Sequence, residues 1–250
     1  LHVRSRRQRQ MCYKRQYLYN MKLLWQQIPS TEVTKLYCNS TCDGIVLDTE
    51  HGVFNNETLF TLIQLINASD KKSFVRITEP TKTFCRLLLD SGVSGLIFST
   101  LNTLDIPKIR EWCKFPPEGK RGQGLVSENN WGDKPLQENN VILVAQIENQ
   151  KGIDELNFIK GSWLFDYYLL GPYDLTADLG CVGEWNDKNY ILNITKFNES
   201  IPTEKRGVHL VSNIEEEYKT KFKDYGFIAL GMDTTIIKNN INKLEQLWQD

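Results

Sequence analysis

Residues 44–54 read GIVLDTEHGVF. An apolar run, Gly44 to Leu47, passes without a break into Asp48, Thr49, Glu50 and His51. A stretch that is apolar at every position, rather than at every second one, suits a parallel strand covered on both faces. Because it ends in two acids and an imidazole, such a strand presents charge at one edge of its sheet.

Runs of the same kind recur along the chain. LLWQQI (23–28), SFVRI (73–77), GLIFS (95–99), VILVAQI (141–147), DYYLLG (166–171), GVHLV (207–211) and FIALG (227–231) complete a set of eight candidate strands. Between them lie stretches with helical spacing. STEVTKLYC opens on Ser30 and Thr31 as candidate caps, and NNETLFTLIQLIN opens on Asn with Glu57 in its first turn. NTLDIPKIREWC, ENQKGIDELNFI and NIEEEYKTKF fill similar slots, and no Pro/Gly/Ser-rich linker divides the series. Strands alternating with helices in one undivided chain predict a single (β/α)8 TIM barrel over 21–250, with a doubly wound sheet as the alternative.

The chain has 250 residues, 40% hydrophobic and 24% charged, ordinary for a globular protein with a sizeable core. No apolar run approaches the ~20 residues of a membrane span, so no membrane partner is expected and a cytoplasmic location is. Charge is uneven. Residues 1–20 hold six Lys/Arg and no acid, leaving 24 basic against 31 acidic residues in the rest. This basic leader is either a nucleic-acid or membrane arm, or a loose terminus ahead of Met21; the second is the expectation, and nucleic acid is not the expected partner. It lacks the apolar segment of a signal peptide. The six cysteines follow no framework or zinc-ligand spacing and are expected to be free thiols.

In a barrel, reactive groups belong at the C-terminal ends of strands. Those ends supply Asp48 to His51, then Arg76, Glu148 and Asp174. Glu148 and Asp174, from neighbouring strand ends, suit a hard divalent cation that keeps positions for water and substrate. The structural alternative makes each a helix cap. Arg76 stands in an otherwise apolar strand and needs an anion. That anion is either Asp48 or Glu50, as a buried pair, or a bound carboxylate or enolate, and the two roles are compatible. Of three histidines, His2 is in the leader and His209 lies inside an apolar strand, a core position. His51, with Asp48 and Glu50 just ahead of it, suits a general base.

IPSTEV, DGIVLDTEHG, VRI, FPPEGKRGQG, VAQIEN, GPYDLTADLG and FIALGMDT occur in this order over about residues 22–235. In that set the chain resembles the HpcH/HpaI aldolases, the metal-dependent class II pyruvate aldolases grouped with the citrate lyase β subunit. The resemblance implies a Mg²⁺, Mn²⁺ or Co²⁺ ion on Glu148 and Asp174, and a base dyad of Asp48 and His51. It also implies Arg76 against a pyruvate enolate, Gly171, Pro172 and Tyr173 along the pyruvate carboxylate, and Glu50 and Arg121 shaping the site. It further implies a 2-oxo acid plus an aldehyde as substrates and a homo-oligomer, a hexamer in many relatives. Two departures stand out: Ser99 where relatives often have proline, and an interval before GVHLV that looks short for a helix-and-strand unit. A CoA-ester lyase of the citrate lyase β type and a non-catalytic binding barrel are the alternative functions.

Overall fold

A computed structural model describes residues 20–134 and 140–248; the basic leader, apart from Asn20, lies outside the described residues. Eight parallel strands close into a barrel in chain order: β1 (Met21–Gln26), β2 (Gly44–Asp48), β3 (Lys72–Ile77), β4 (Gly95–Phe98), β5 (Ile142–Ile147), β6 (Tyr167–Leu170), β7 (Arg206–Leu210) and β8 (Phe227–Leu230). β1 pairs with both β2 and β8, which excludes the doubly wound sheet. The helices are α1 (Thr31–Cys38), α2 (Asn56–Asn67), α3 (Lys82–Asp90), α4 (Ile106–Cys113), α5 (Gln150–Asp154), α6 (Leu156–Gly161), α7 (Pro172–Asp178), α8 (Lys188–Ser200), α9 (Ile214–Glu217) and α10 (Asp233–Gln246). The interval expected to be short holds a full unit, because α8 runs for thirteen residues from an Asp187 cap. Among the described residues no helix is long and apolar enough to cross a membrane, and Cys38, Cys42, Cys85, Cys113 and Cys181 are free thiols.

Successive strand residues face opposite sides of the sheet, and both sides are dry. Ile45, Leu47, Val75, Ile77, Leu96, Phe98, Ala145 and Ile147 pack under the helices. Their neighbours Val46, Phe74, Ile97 and Val144 fill the barrel with Leu23, Tyr167 and Phe227. Phe227 meets Phe74 edge-on with ring centres 5.3 Å apart and Tyr167 at 5.0 Å, closing the N-terminal half of the bore. Each such side chain contributes about 1.5–3 kcal/mol by leaving water.

The inward set continues toward the C-terminal ends with a change of chemistry. Val46 is followed two residues on by Asp48, Phe74 by Arg76, Ile97 by Ser99, and Val144 by Gln146 and then Glu148. All five of these polar residues are buried. β1 starts and stops two residues before the expected stretch. The main-chain N–H groups of Gln27 and Ile28 turn away to donate to the buried Asp233 carboxylate at the start of α10, at 2.8–3.1 Å.

Candidate active site

Asp48, fully buried at the end of β2, is the anchor. Arg76, its register partner on β3, donates from Nε to Oδ1 at 2.8 Å and from Nη2 to Oδ2 at 2.6 Å. Gln27 Nε2 donates to Oδ2 at 3.2 Å, and the main-chain N–H groups of Glu50 and His51 donate to Oδ1 at 3.1 and 3.4 Å. Burial pushes the Asp48 carboxyl up, but the Arg76 fork, with Trp25 and Gln27, outweighs it and holds the acid at about 2. Thr49 ties the two strand ends together through its hydroxyl, which donates to the Arg76 carbonyl at 2.5 Å.

Arg76 Nη1 also lies 2.7 Å from Glu50 Oε2, an ion pair without hydrogen-bond alignment. One face of the guanidinium lies against Trp25, 5.1 Å from the ring centre. His209 from β7 stacks on Trp25 at 3.9 Å and 12°. Burial and the Arg76 charge push His209 down to about 3, so it is neutral. Its Nε2 therefore donates to the Gly231 carbonyl at 3.2 Å, and it is the barrel-interior residue its strand position suggested. A guanidinium has five N–H groups; the two hydrogen bonds to Asp48 use one on Nε and one on Nη2, and the others are not hydrogen-bonded to Asp48.

The dyad implied for His51 is not assembled through its ring. Asp48 serves Arg76, and His51 reaches it only through the main chain. The ring is exposed at the mouth and makes no side-chain hydrogen bond among the described residues. A charged His51 lies near enough to favour ionised Asp174.

Neither acid on the far side is a helix cap. Asn149 caps α5, accepting from Gly152 N at 2.7 Å, and α7 begins at Gly171 with Asp174 in its first turn making no capping bond. Glu148 instead accepts from Thr100 N at Oε1 and from Gln146 Nε2 at Oε2, both at 2.5 Å. Burial pushes Glu148 up to about 7; the Thr100 N–H opposes this, while Glu50 and Asp174 add to it. Asp174, exposed at the mouth, is raised too, by partial desolvation first and then by Glu50 and Asp48, against Arg76 and His51. Gly171 lets the turn approach closely, since a Cβ would stand 3.0 Å from Glu148 Cβ and 3.2 Å from Gln146 Nε2 and would push those side chains aside. Pro172 is buried behind this turn, and Tyr173 is half exposed beside it.

Four acids thus share one arginine, a net charge of −3 when all are ionised. That excess and the oxygen-only donors fit a hard divalent cation held by Glu148 and Asp174. Among the described residues no group of three or more His, Cys, Asp or Glu is arranged to hold a metal ion.

Sequence reasoning missed Trp25, Gln27, Thr100 and Gln146. Thr100 has φ +46°, a left-handed conformation that is unusual for a β-branched residue, and nothing in its sequence signals that. Gln146 was detectable as a polar residue on the inward side of an apolar strand. Arg121 is not brought to this mouth within the chain. It pairs with Asp90, the last residue of α3, at 3.1 Å, and with Glu128. Helices run back along the barrel, so that position is at its N-terminal end.

The family model for HpcH/HpaI aldolase/citrate lyase matches residues 22–240. Hydroxypyruvate/pyruvate aldolase of Roseobacter denitrificans is 22% identical over 236 residues, covering 90% of this chain and 91% of the relative. The crystal structure of an HpcH/HpaI aldolase from Desulfitobacterium hafniense superposes with a TM-score of 0.85 at 17% identity, covering 96% of each chain. The citrate lyase β subunit of M. tuberculosis, solved with oxaloacetate and magnesium, has a TM-score of 0.54 at 12% identity, over 87% of this chain and 94% of that one. With its barrel closed in the same way and the match running almost end to end, the chain belongs to the HpcH/HpaI aldolase/citrate lyase family and is an aldolase of that family.

Proposed function

We propose that the protein catalyses divalent-metal-dependent, reversible cleavage of a 4-hydroxy-2-oxo acid to pyruvate and an aldehyde. The observation that carries this reading is Glu148. It is a buried acid raised to about 7, faced by two further acids, with the nearby arginine already held by Asp48. Such an arrangement is costly without a cation and ready for one. A Mg²⁺, Mn²⁺ or Co²⁺ ion bound by Glu148 and Asp174 would supply Lewis-acid polarisation of the 2-oxo group.

The chain's own residues do the rest. Asp48 fixes the Arg76 fork, whose N–H groups not bonded to Asp48 donate to the oxygen that becomes anionic as the enolate forms. His51, at the open rim, takes the proton of the C4 hydroxyl through a water molecule. The C3–C4 bond then breaks, the aldehyde leaves, and its electron pair remains in the pyruvate enolate. Protonation at C3 gives pyruvate, and His51 returns the proton. The turn from Gly171 through Pro172 and Tyr173 lies along the substrate carboxylate. Glu50 keeps Arg76 from rotating toward solvent. Ile237, Ile241, Leu244 and Trp248 are exposed on α10 and beyond it, which supports packing against further copies of the chain.

Pyruvate alone tests this reading. With Mn²⁺ or Mg²⁺, its methyl protons should exchange with D₂O in an NMR time course, stop exchanging on chelation, and require no CoA. Exchange that needs a CoA ester would favour the CoA-ester lyase reading, and its absence with every metal in folded protein would sink the proposal.

A further inference from the structure

The Asp48–Arg76 pair is backed from the β1 side by a chain of hydrogen bonds that ends in the last helix. β1 lies between β2 and β8 in the barrel, so Gln27, just past its end, stands between Asp48 and the start of α10. Gln27 reaches both. Its Nε2 donates to Asp48 Oδ2 at 3.2 Å, and its Oε1 accepts from Thr234 Oγ1 at 3.1 Å. Its main-chain N–H is held by the buried Asp233 carboxylate at 3.0–3.1 Å.

We infer that Gln27 is a positioning residue for the reaction: oriented by Thr234, it holds Asp48 in the rotamer that presents Arg76 to the enolate oxygen. The inference rests on the aldolase reading. Hydrogen-bond polarity carries it. An ionised carboxylate only accepts, so Gln27 must turn its NH2 group toward Asp48 and its carbonyl oxygen toward α10. That oxygen also only accepts, so the Thr234 hydroxyl is the donor. The amide is thereby fixed in one orientation, and loss of the Thr234 hydroxyl would leave its oxygen end unfastened.

The two Asp48 oxygens are steadied from different places. Oδ1 takes the main-chain N–H groups of Glu50 and His51, from its own loop. Oδ2 receives Arg76 Nη2 at 2.6 Å and takes Gln27 from the neighbouring strand end. The terminal torsion of an aspartate is soft, so a partner on Oδ2 keeps the carboxylate in register with the guanidinium fork. Arg76 in turn acts on charge that develops only as the enolate forms, so a misplaced fork costs rate rather than binding.

The test is exchange of pyruvate methyl protons with D₂O in the presence of Mn²⁺, on wild type, Gln27→Met, Thr234→Val and Thr234→Ser, each checked for folding by circular dichroism. Gln27→Met keeps the side-chain length and loses the polar atoms. It should lower kcat by about tenfold or more, with KM for pyruvate and Mn²⁺ affinity within about twofold of wild type. Thr234→Val should lower kcat by about threefold to tenfold, and Thr234→Ser, which keeps the hydroxyl, should restore it. The double variant Gln27→Met, Thr234→Val should be no slower than Gln27→Met alone, because Thr234 acts through the amide. Thr234→Val leaves Gln27 and its main-chain bonds in place, so it reads the relay even if Gln27→Met fails to fold. Wild-type kcat in folded Gln27→Met or in Thr234→Val, a Thr234→Ser as slow as Thr234→Val, or a fall in kcat matched by an equal loss of Mn²⁺ affinity overturns the inference alone. A wild type that shows no exchange with Mn²⁺ or Mg²⁺ overturns the aldolase reading and this inference with it.

Discussion

The two halves of the barrel bore are built on the same strands and obey opposite rules. In the N-terminal half, Phe74, Tyr167 and Phe227 meet as dry aromatic rings. Two residues further along, about 7 Å, the inward faces of β2, β3 and β5 carry Asp48, Arg76 and Gln146, and Glu148 follows two residues past Gln146. The first layer is satisfied by packing alone. The second combines one closed ion pair, Asp48 with Arg76, and one uncompensated acid, Glu148. Under the proposed function, stability belongs to the lower layer and chemistry to the upper, so substitutions in the two should separate cleanly.

The widest separation is expected at Glu148. Glu148→Gln should lower metal-dependent pyruvate exchange by about 10³-fold or more. The metal-free variant should nevertheless be more stable than wild type at pH 8, by up to about 3 kcal/mol in urea titrations. The sign follows from an acid raised from 4.5 to about 7: its contribution is fully present below pH 4.5 and is lost as pH rises to about 7. A variant that lost stability along with activity would place Glu148 in the packing layer.

Phe227→Ala makes the opposite change. It should cost about 3–5 kcal/mol of unfolding free energy while activity per folded molecule stays within about threefold. A large activity loss in the folded fraction would break the division between layers.

The closed pair gives an acid-side signature. Asp48 is depressed from 3.8 to about 2, so its contribution of roughly 2 kcal/mol is complete above pH 3.8 and fades as pH falls toward 2. Asp48→Asn should flatten that arm of a stability–pH curve, and an unchanged arm would mean that the pair is not closed in solution. Thr100→Gly should have the smallest effect. It relieves a left-handed threonine but adds chain entropy, a net change within about 1 kcal/mol. It keeps the N–H to Glu148, so metal affinity should hold within about twofold by calorimetry.

This layering also explains what the sequence disclosed. Parallel strands dry on both faces leave solid apolar runs, so all eight were legible, and strand position alone put Asp48, Arg76 and Glu148 at or just past strand ends and Asp174 in the first turn after β6. The end of β1 was not legible, because Asp233, two hundred residues away, captures the Gln27 and Ile28 N–H groups. Nor was the choice Asp48 makes among donors: proximity in sequence pointed to the His51 ring, while strand register placed Arg76 directly opposite. Arg121 entered only through the family resemblance, as a residue shaping the site, and its loop follows α4 back to the N-terminal end, where it pairs with Asp90 and Glu128.

The central claim, that Glu148 is the uncompensated acid of a cation site, is tested most directly by calorimetric Mn²⁺ titration of wild type and Glu148→Gln at pH 6 and pH 8. Wild type should bind one ion, more tightly at pH 8, and release close to one proton per ion at pH 6 but little at pH 8, while the variant shows neither the affinity nor the proton. Equal binding by the two proteins, or binding at pH 6 with no proton released, would contradict it.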